Sequence, residues 1–212
     1  INWENPRSVY KKVWVPYFGK TIRNGRGLEE ESFSYILRHT QMRPRQLIHI
    51  CNTIARSAEN FPHFREGEIV AGVKIAESQI AAEILNSYSE MYPKVSDIIT
   101  ALVAMPMIFD GNELDKRAPE SASNWATGTY TPYNFKKMMA ELGVVGRVVR
   151  ENSSSDYIDA EFEYSLPDHL VLTHRDRCVI HPMFFESLRI DRRQYVRIMP
   201  FSTQRDLLEL SE

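Results

Sequence analysis

The chain has 212 residues, 43% of them apolar and 25% charged, with a formal net charge of −2. That is the balance of a globular chain with one large or two small cores, not of a disordered one. Its apolar runs are short: the longest, Ile98–Met105 ahead of Pro106, falls far below a bilayer span, so no membrane partner is expected. Cys51 and Cys178 sit inside apolar patterns, and no basic-then-apolar leader precedes Ile1. Both features point to a reducing cytoplasm, and the missing initiator Met points to a chain cut from something longer.

Charge is unevenly spread. Residues 1–56 carry ten Lys/Arg against four Asp/Glu, and residues 57–212 carry sixteen against twenty-four. The basic part therefore either faces an anionic partner or is a solvated surface with chance clustering.

In chain order, residues 1–27 are rich in Trp, Tyr, Pro and Lys/Arg without a clean period; Val9, Val13, Val15 and Tyr17 fit a strand or a short helix, and Asn24-Gly25 a turn. Phe33, Ile36 and Leu37 come after Glu29-Glu30-Glu31, acids suited to the positive end of a helix that should stop near Met42. Pro44 opens a second helix whose apolar face runs through Leu47, Ile48, Cys51, Ile54, Ala55 and Ala58. A third, from about Glu68 to Tyr92, carries Val73, Ile80, Ile84 and Leu85, and Pro93 closes it. These elements predict a helical bundle over 1–93.

A different texture covers 94–188. Asp97–Met105 predicts a compact helix, Leu114 a weaker one, and 118–129 a loop. Thr131-Pro132 opens a helix with Phe135, Met138, Met139 and Leu142, ended by a left-handed cap at Gly143. Val144–Val149 and Tyr157–Tyr164, joined by a polar cluster, predict a β-hairpin. A further apolar run, Leu170–Leu172, leads to Val179–Phe185. Three helices and then a hairpin is the order of a winged-helix domain, so the expected fold is mainly α (α+β), a helical bundle followed by a winged helix with a β-hairpin wing. Residues 189–212 form a basic C-terminal segment.

Several motifs suggest chemistry that their context does not support. Gly19-Lys20-Thr21 resembles the end of a phosphate loop, but Trp14 stands where the first glycine belongs and Pro16 removes an amide donor. His169, His174, Cys178 and His181 lack the tight pairs of structural zinc sites, and a strand would put Cys178 and His181 on opposite faces. Cys51 with His49 and His39 could make a nucleophile and base, yet Cys51 lies on an apolar helix face with no oxyanion loop after it. No catalytic constellation and no cofactor of its own is therefore expected of this chain.

Arg43 and Arg45 flank the helix-opening Pro44, two cations at a rigid point of backbone, read either as phosphate ligands or as solvated surface arginines. The stretch Tyr35-Ile36-Leu37-Arg38-His39-Thr40-Gln41-Met42-Arg43-Pro44-Arg45-Gln46-Leu47-Ile48 resembles the lid segment of bacterial AAA+/STAND-type P-loop ATPases. In that family an arginine-proline corner opens a lid helix, its arginine reaches the nucleotide held by the preceding core, and a winged helix often comes next. The resemblance implies Arg45 as nucleotide sensor, with Arg43 the weaker candidate, in a lid and winged-helix module whose partner is the ATPase core of the same polypeptide. ATP and Mg would be cofactors of that parent protein, since Walker A and Walker B motifs are missing here.

The alternative is a winged-helix DNA-binding protein. Thr131–Ser165 carries Lys136, Lys137, Arg147 and Arg150 against six acids, which disfavours phosphate contact and favours protein partners. Arg189, Arg192, Arg193 and Arg197 form a second basic cluster, interleaved with Tyr195 and Phe201, that reads as a nucleic-acid or partner arm or as a solvated face. Without a phosphate loop, this chain alone should neither bind nor hydrolyse ATP; micromolar binding in a calorimetric titration, or phosphate release abolished by Lys20→Ala, is the contrary outcome.

Overall fold

The computed structural model describes residues 4–24, 27–59, 61–152, 157–191 and 197–200. They fall into two compact units, Ile1–Ala76 and Glu77–Ser202. Pro93, where the texture of the sequence changes, lies inside the second unit and not at the boundary. The fold is a mixture of helix and sheet, α+β, as the periodicities predict.

The first unit begins with a continuous helical run: α1 (Pro6–Val9), a π-helical stretch Tyr10–Trp14, and α2 (Val15–Phe18). The ambiguity between strand and helix over Val9–Tyr17 is thus resolved as helix. Its inner side is aromatic: Trp14 stacks on Phe18 at 4.2 Å between ring centroids and meets Phe33 edge-on at 4.8 Å. Gly19 ends the run at φ 73°, a left-handed value that suits glycine.

The strands beyond Gly19 were not expected. Strand β1 (Thr21–Arg23) pairs antiparallel with β2 (Glu29–Glu31), so Thr21 opens a strand, and the three glutamates stand in β2, not in a first helical turn. The helix α3 is only Ser32–Leu37, and Glu31 caps it from outside: its carboxylate accepts the N–H groups of Phe33 at 3.1 Å and Ser34 at 2.5 Å. Tyr10 donates its hydroxyl to the same carboxylate, and burial together with that acid holds the phenol protonated well beyond its ordinary range.

Helix α4 (Pro44–Ser57) carries Pro44 in its first turn, as predicted, but its buried face is Gln46, Ile50 and Ile54. Ile48, assigned to the apolar face from its spacing, is 59% exposed. Against α4 lies α5 (Glu66–Ser87), where Gly72 allows close approach: a Cβ there would stand 2.6 Å from an Ile54 side-chain carbon and 2.8 Å from its Cα.

In the second unit the later part of α5 buries Ile80, Ile84 and Leu85. The predicted Asp97–Met105 helix is shorter and tighter, α6 (Val95–Ile98) running into a 3₁₀ turn Ile99–Leu102. Then come β3 (Ile108–Asp110), α7 (Gly111–Arg117) and a 3₁₀ stretch Ala118–Asn124 inside the segment expected to be loop. Helix α8 (Pro132–Glu141) starts as its sequence requires: Thr131 accepts the Asn134 N–H at 2.9 Å, and Phe135, Met138 and Met139 are fully buried. Gly143 comes after it at φ 65°.

The hairpin is present as β4 (Val145–Asn152) and β5 (Tyr157–Glu161). It belongs to a five-stranded sheet completed by β6 (Arg177–Ile180) and β7 (Arg197–Met199), in the order β3-β6-β4-β5-β7, with only β5 and β7 parallel. Among the described residues no helix is long and apolar enough to cross a membrane.

One buried ion pair organises the first unit. Arg38, fully buried, grips Glu30 with both terminal nitrogens, Nη2 to Oε1 at 2.9 Å; Asn24 Nδ2 donates to that oxygen at 2.9 Å, and the guanidinium lies over the Tyr35 ring at 4.9 Å. Removing one partner strands the other charge away from water, so Arg38→Met should cost about 3–5 kcal/mol in chemical denaturation; a loss under about 1 kcal/mol would show Glu30 to be solvated.

Candidate functional site

The arginine-proline corner lies immediately beyond that ion pair. Residues 38–42 leave α3 in turns tied by short polar contacts: Thr40 Oγ1 donates to Leu37 O at 2.7 Å and accepts the Met42 N–H at 3.1 Å. The Gln41 N–H donates at 2.7 Å to Oε1 of Gln46, a buried residue in the first turn of α4. Met42 is left-handed at φ 56°, a conformation that costs a non-glycine residue about 1–2 kcal/mol and that this network holds in place.

Arg43 is then extended, with φ −92° and ψ 122°, as the residue before a proline must be. No side chain caps α4 at this end, and Arg43, Pro44 and Arg45 are all exposed. The corner thus buries Thr40, Gln41 and Gln46 and turns outward two guanidiniums beside an open helix N-terminus. Such an arrangement attracts an anion with several oxygens, through charge and through forked hydrogen bonds. Among the described residues neither arginine has an ion pair.

The two arginines were legible in the sequence; the groups that aim them were not. Gln46 was legible in part: a glutamine in the third helical position is a common reach-back residue. Glu30 as the partner of Arg38 was not legible, because nothing in the sequence marked Glu29–Glu31 as a strand.

The cations of α8 are engaged. Lys136 Nζ stands 2.8 Å from Asp115 Oδ1 and Lys137 Nζ 3.5 Å from Glu141 Oε1. Arg147 pairs with Glu161 at 2.8 Å, and Arg177 with Glu151. Arg189 is exposed at φ 52°, Arg197 lies in β7 and is half-buried, and Arg192 and Arg193 lie outside the described residues.

The histidines and cysteines have separate surroundings. His181 is fully buried; its Nδ1 accepts the Met183 N–H at 3.1 Å, which leaves Nε2 facing Tyr164 Oη at 2.7 Å. His169 holds Glu163 at 2.5 Å, a hydrogen bond and charge that raise its pKa, and His174 is exposed. His39 is buried, its Nδ1 at 2.6 Å from Tyr35 O. Among the described residues no three His, Cys, Asp or Glu side chains gather as metal ligands do.

Residues 11–87 match a family described as a FunZ-associated C-terminal helical domain. The matched stretch contains the corner and ends where α5 ends, at Ser87. The chain matches no curated protein and no solved structure.

Burial pushes both thiols up, Cys51 to about 11 and Cys178 to about 12. A thiolate is the reactive form, so iodoacetamide at neutral pH should label either cysteine at least about tenfold more slowly in the folded chain than in urea. Equal rates would reopen Cys51 as a nucleophile.

Proposed function

We propose that the chain is a non-catalytic regulatory module of a larger P-loop ATPase, in which the corner at Arg43-Pro44-Arg45 senses bound nucleotide. The observation that carries this reading is the division of labour within eight residues: Arg38 is sequestered in a buried ion pair, while Arg43 and Arg45 are presented at a backbone point held by Thr40, Gln41 and Gln46. Solvated arginines need no such support. The resemblance to AAA+/STAND lids over residues 35–48 names the anion, a nucleotide γ-phosphate, and the match of this region to a C-terminal helical domain suits a module attached to other parts. Arg45, in the first turn of α4, is the sensor; Arg43, outside the helix, is secondary.

The second unit is read as a winged-helix-like module. The order α7, α8, β4, with β6 lying between β3 and β4, supports that reading. Lys136 and Lys137 each have a carboxylate partner, so the helix that DNA-binding relatives place in the major groove offers phosphates little. Docking of a protein partner fits it better than reading of DNA.

In the polypeptide that joins this chain to its ATPase core, Arg45→Ala should lower ATP turnover at least tenfold, about 2–4 kcal/mol of transition-state stabilisation. In the chain alone the same substitution should leave thermal stability nearly unchanged, because an exposed arginine contributes little. Wild-type turnover in the variant, or a large fall in melting temperature, would make Arg45 a structural residue.

A further inference from the structure

We infer that the helical run of α1, the π stretch and α2, with the loop at 61–65 laid against its end, is a binding surface for single-stranded nucleic acid. It is separate from the corner and independent of nucleotide sensing.

The run is anchored through the rings of Tyr10, Trp14 and Phe18. Along it Arg7, Lys11 and Lys12 are all exposed, and Lys20 stands exposed just past its end. None of these four has a carboxylate partner among the described residues, in contrast to Lys116, Arg117, Lys136, Lys137, Arg147 and Arg177 of the second unit. This set is therefore open to an outside anion.

The second observation is aromatic. The Phe64 N–H donates to Tyr17 O at 3.0 Å, His63 Nδ1 lies 2.7 Å from Pro16 O, and Phe64 packs on Phe18 at 5.1 Å. These contacts pin the loop that carries Phe61 and Arg65 to the last turn of α2, which carries Tyr17. Phe61 is 69% exposed and Tyr17 41%. Cations that follow a phosphate backbone, next to flat rings on which bases can stack, are the two parts of a sequence-tolerant single-strand site.

The run is about 20 Å long, within reach of a footprint of roughly four nucleotides. An anionic membrane would use the same charges, but it calls for a continuous apolar stripe to insert, and besides Tyr17 the exposed apolar residues of the run are Pro6, Val13 and Pro16, which are scattered along it. A duplex would satisfy the cations and leave the rings unused.

The test is fluorescence anisotropy of a labelled oligothymidylate of about 20 nucleotides, titrated with the full chain at several salt concentrations. The wild type should bind at low salt with strong salt dependence. Lys11→Ala/Lys12→Ala/Lys20→Ala should weaken binding at least tenfold and flatten the log–log salt slope by about two, the loss of three phosphate contacts to a single strand. Tyr17→Ala/Phe61→Ala should weaken it at least about fivefold with the slope unchanged. Arg43→Ala/Arg45→Ala should leave binding as it is; loss of binding there alone would assign the oligonucleotide to the corner and overturn the inference. Circular dichroism melts confirm that each variant folds. Absence of binding at low salt, equal binding by the lysine variant, tighter binding to duplex with no effect of the ring variant, or capture by phosphatidylserine vesicles in place of the oligonucleotide would each refute it.

Discussion

The Glu30–Arg38 pair is the constraint on which the first unit turns. It joins β2 to the end of α3 at the point where the chain leaves helix for the corner. Desolvating both ions is costly, and their attraction alone seldom offsets it. The surroundings tilt the balance: Asn24 adds a donor to the carboxylate, and the Tyr35 ring faces the guanidinium. The pair thus gains little net stability and much definition, because no other register of β1 and β2 would present Glu30 to Arg38. Everything outward of it, from Thr40 to Pro44, inherits that definition.

Neighbouring glutamates show how finely this is set. Glu30 and Glu31 are consecutive in a strand and so point to opposite sides. One goes to the buried arginine; the other caps α3 and receives the Tyr10 hydroxyl, which ties the N-terminal helical run to the same strand. A cluster that reads in sequence as a bland acidic helix start is two separate structural joints. Glu31 does serve the amino end of α3, as the helix dipole favours, but it acts from the capping position outside the helix.

Elements with local signals were legible, and elements defined by distant partners were not. Thr131-Pro132 and Gly143 bracket α8 by backbone rules that need no tertiary knowledge, and Pro44 opens α4 for the same reason. The β1–β2 pair has three residues per strand and almost no period to read, and the 3₁₀ stretches after α6 and α7 arise from packing more than propensity. Spacing places Ile48 on the apolar face of α4, but the buried position goes to Gln46, whose amide is needed at the corner. Of the candidate site, the arginines could be named from sequence; the network that orients them could not.

Arginine occupies three positions between 38 and 45, and its chemistry is the same in all three. Position decides the role. At 38 the backbone is leaving a helix under cover of a strand, and the guanidinium is enclosed with a carboxylate; at 43 and 45 the backbone has turned outward past a left-handed Met42, and the side chains meet water. A lysine could replace neither kind without loss, since the first uses the fork to hold two oxygens and the second would need it for a phosphate. The corner therefore works as a converter: a buried, satisfied arginine sets the geometry, and that geometry lends its rigidity to two arginines left unsatisfied. Charge held open on a rigid frame is the feature on which the nucleotide-sensing proposal rests, and the helical run at residues 6–18, braced by Trp14 and Phe18, presents exposed lysines on a comparable frame.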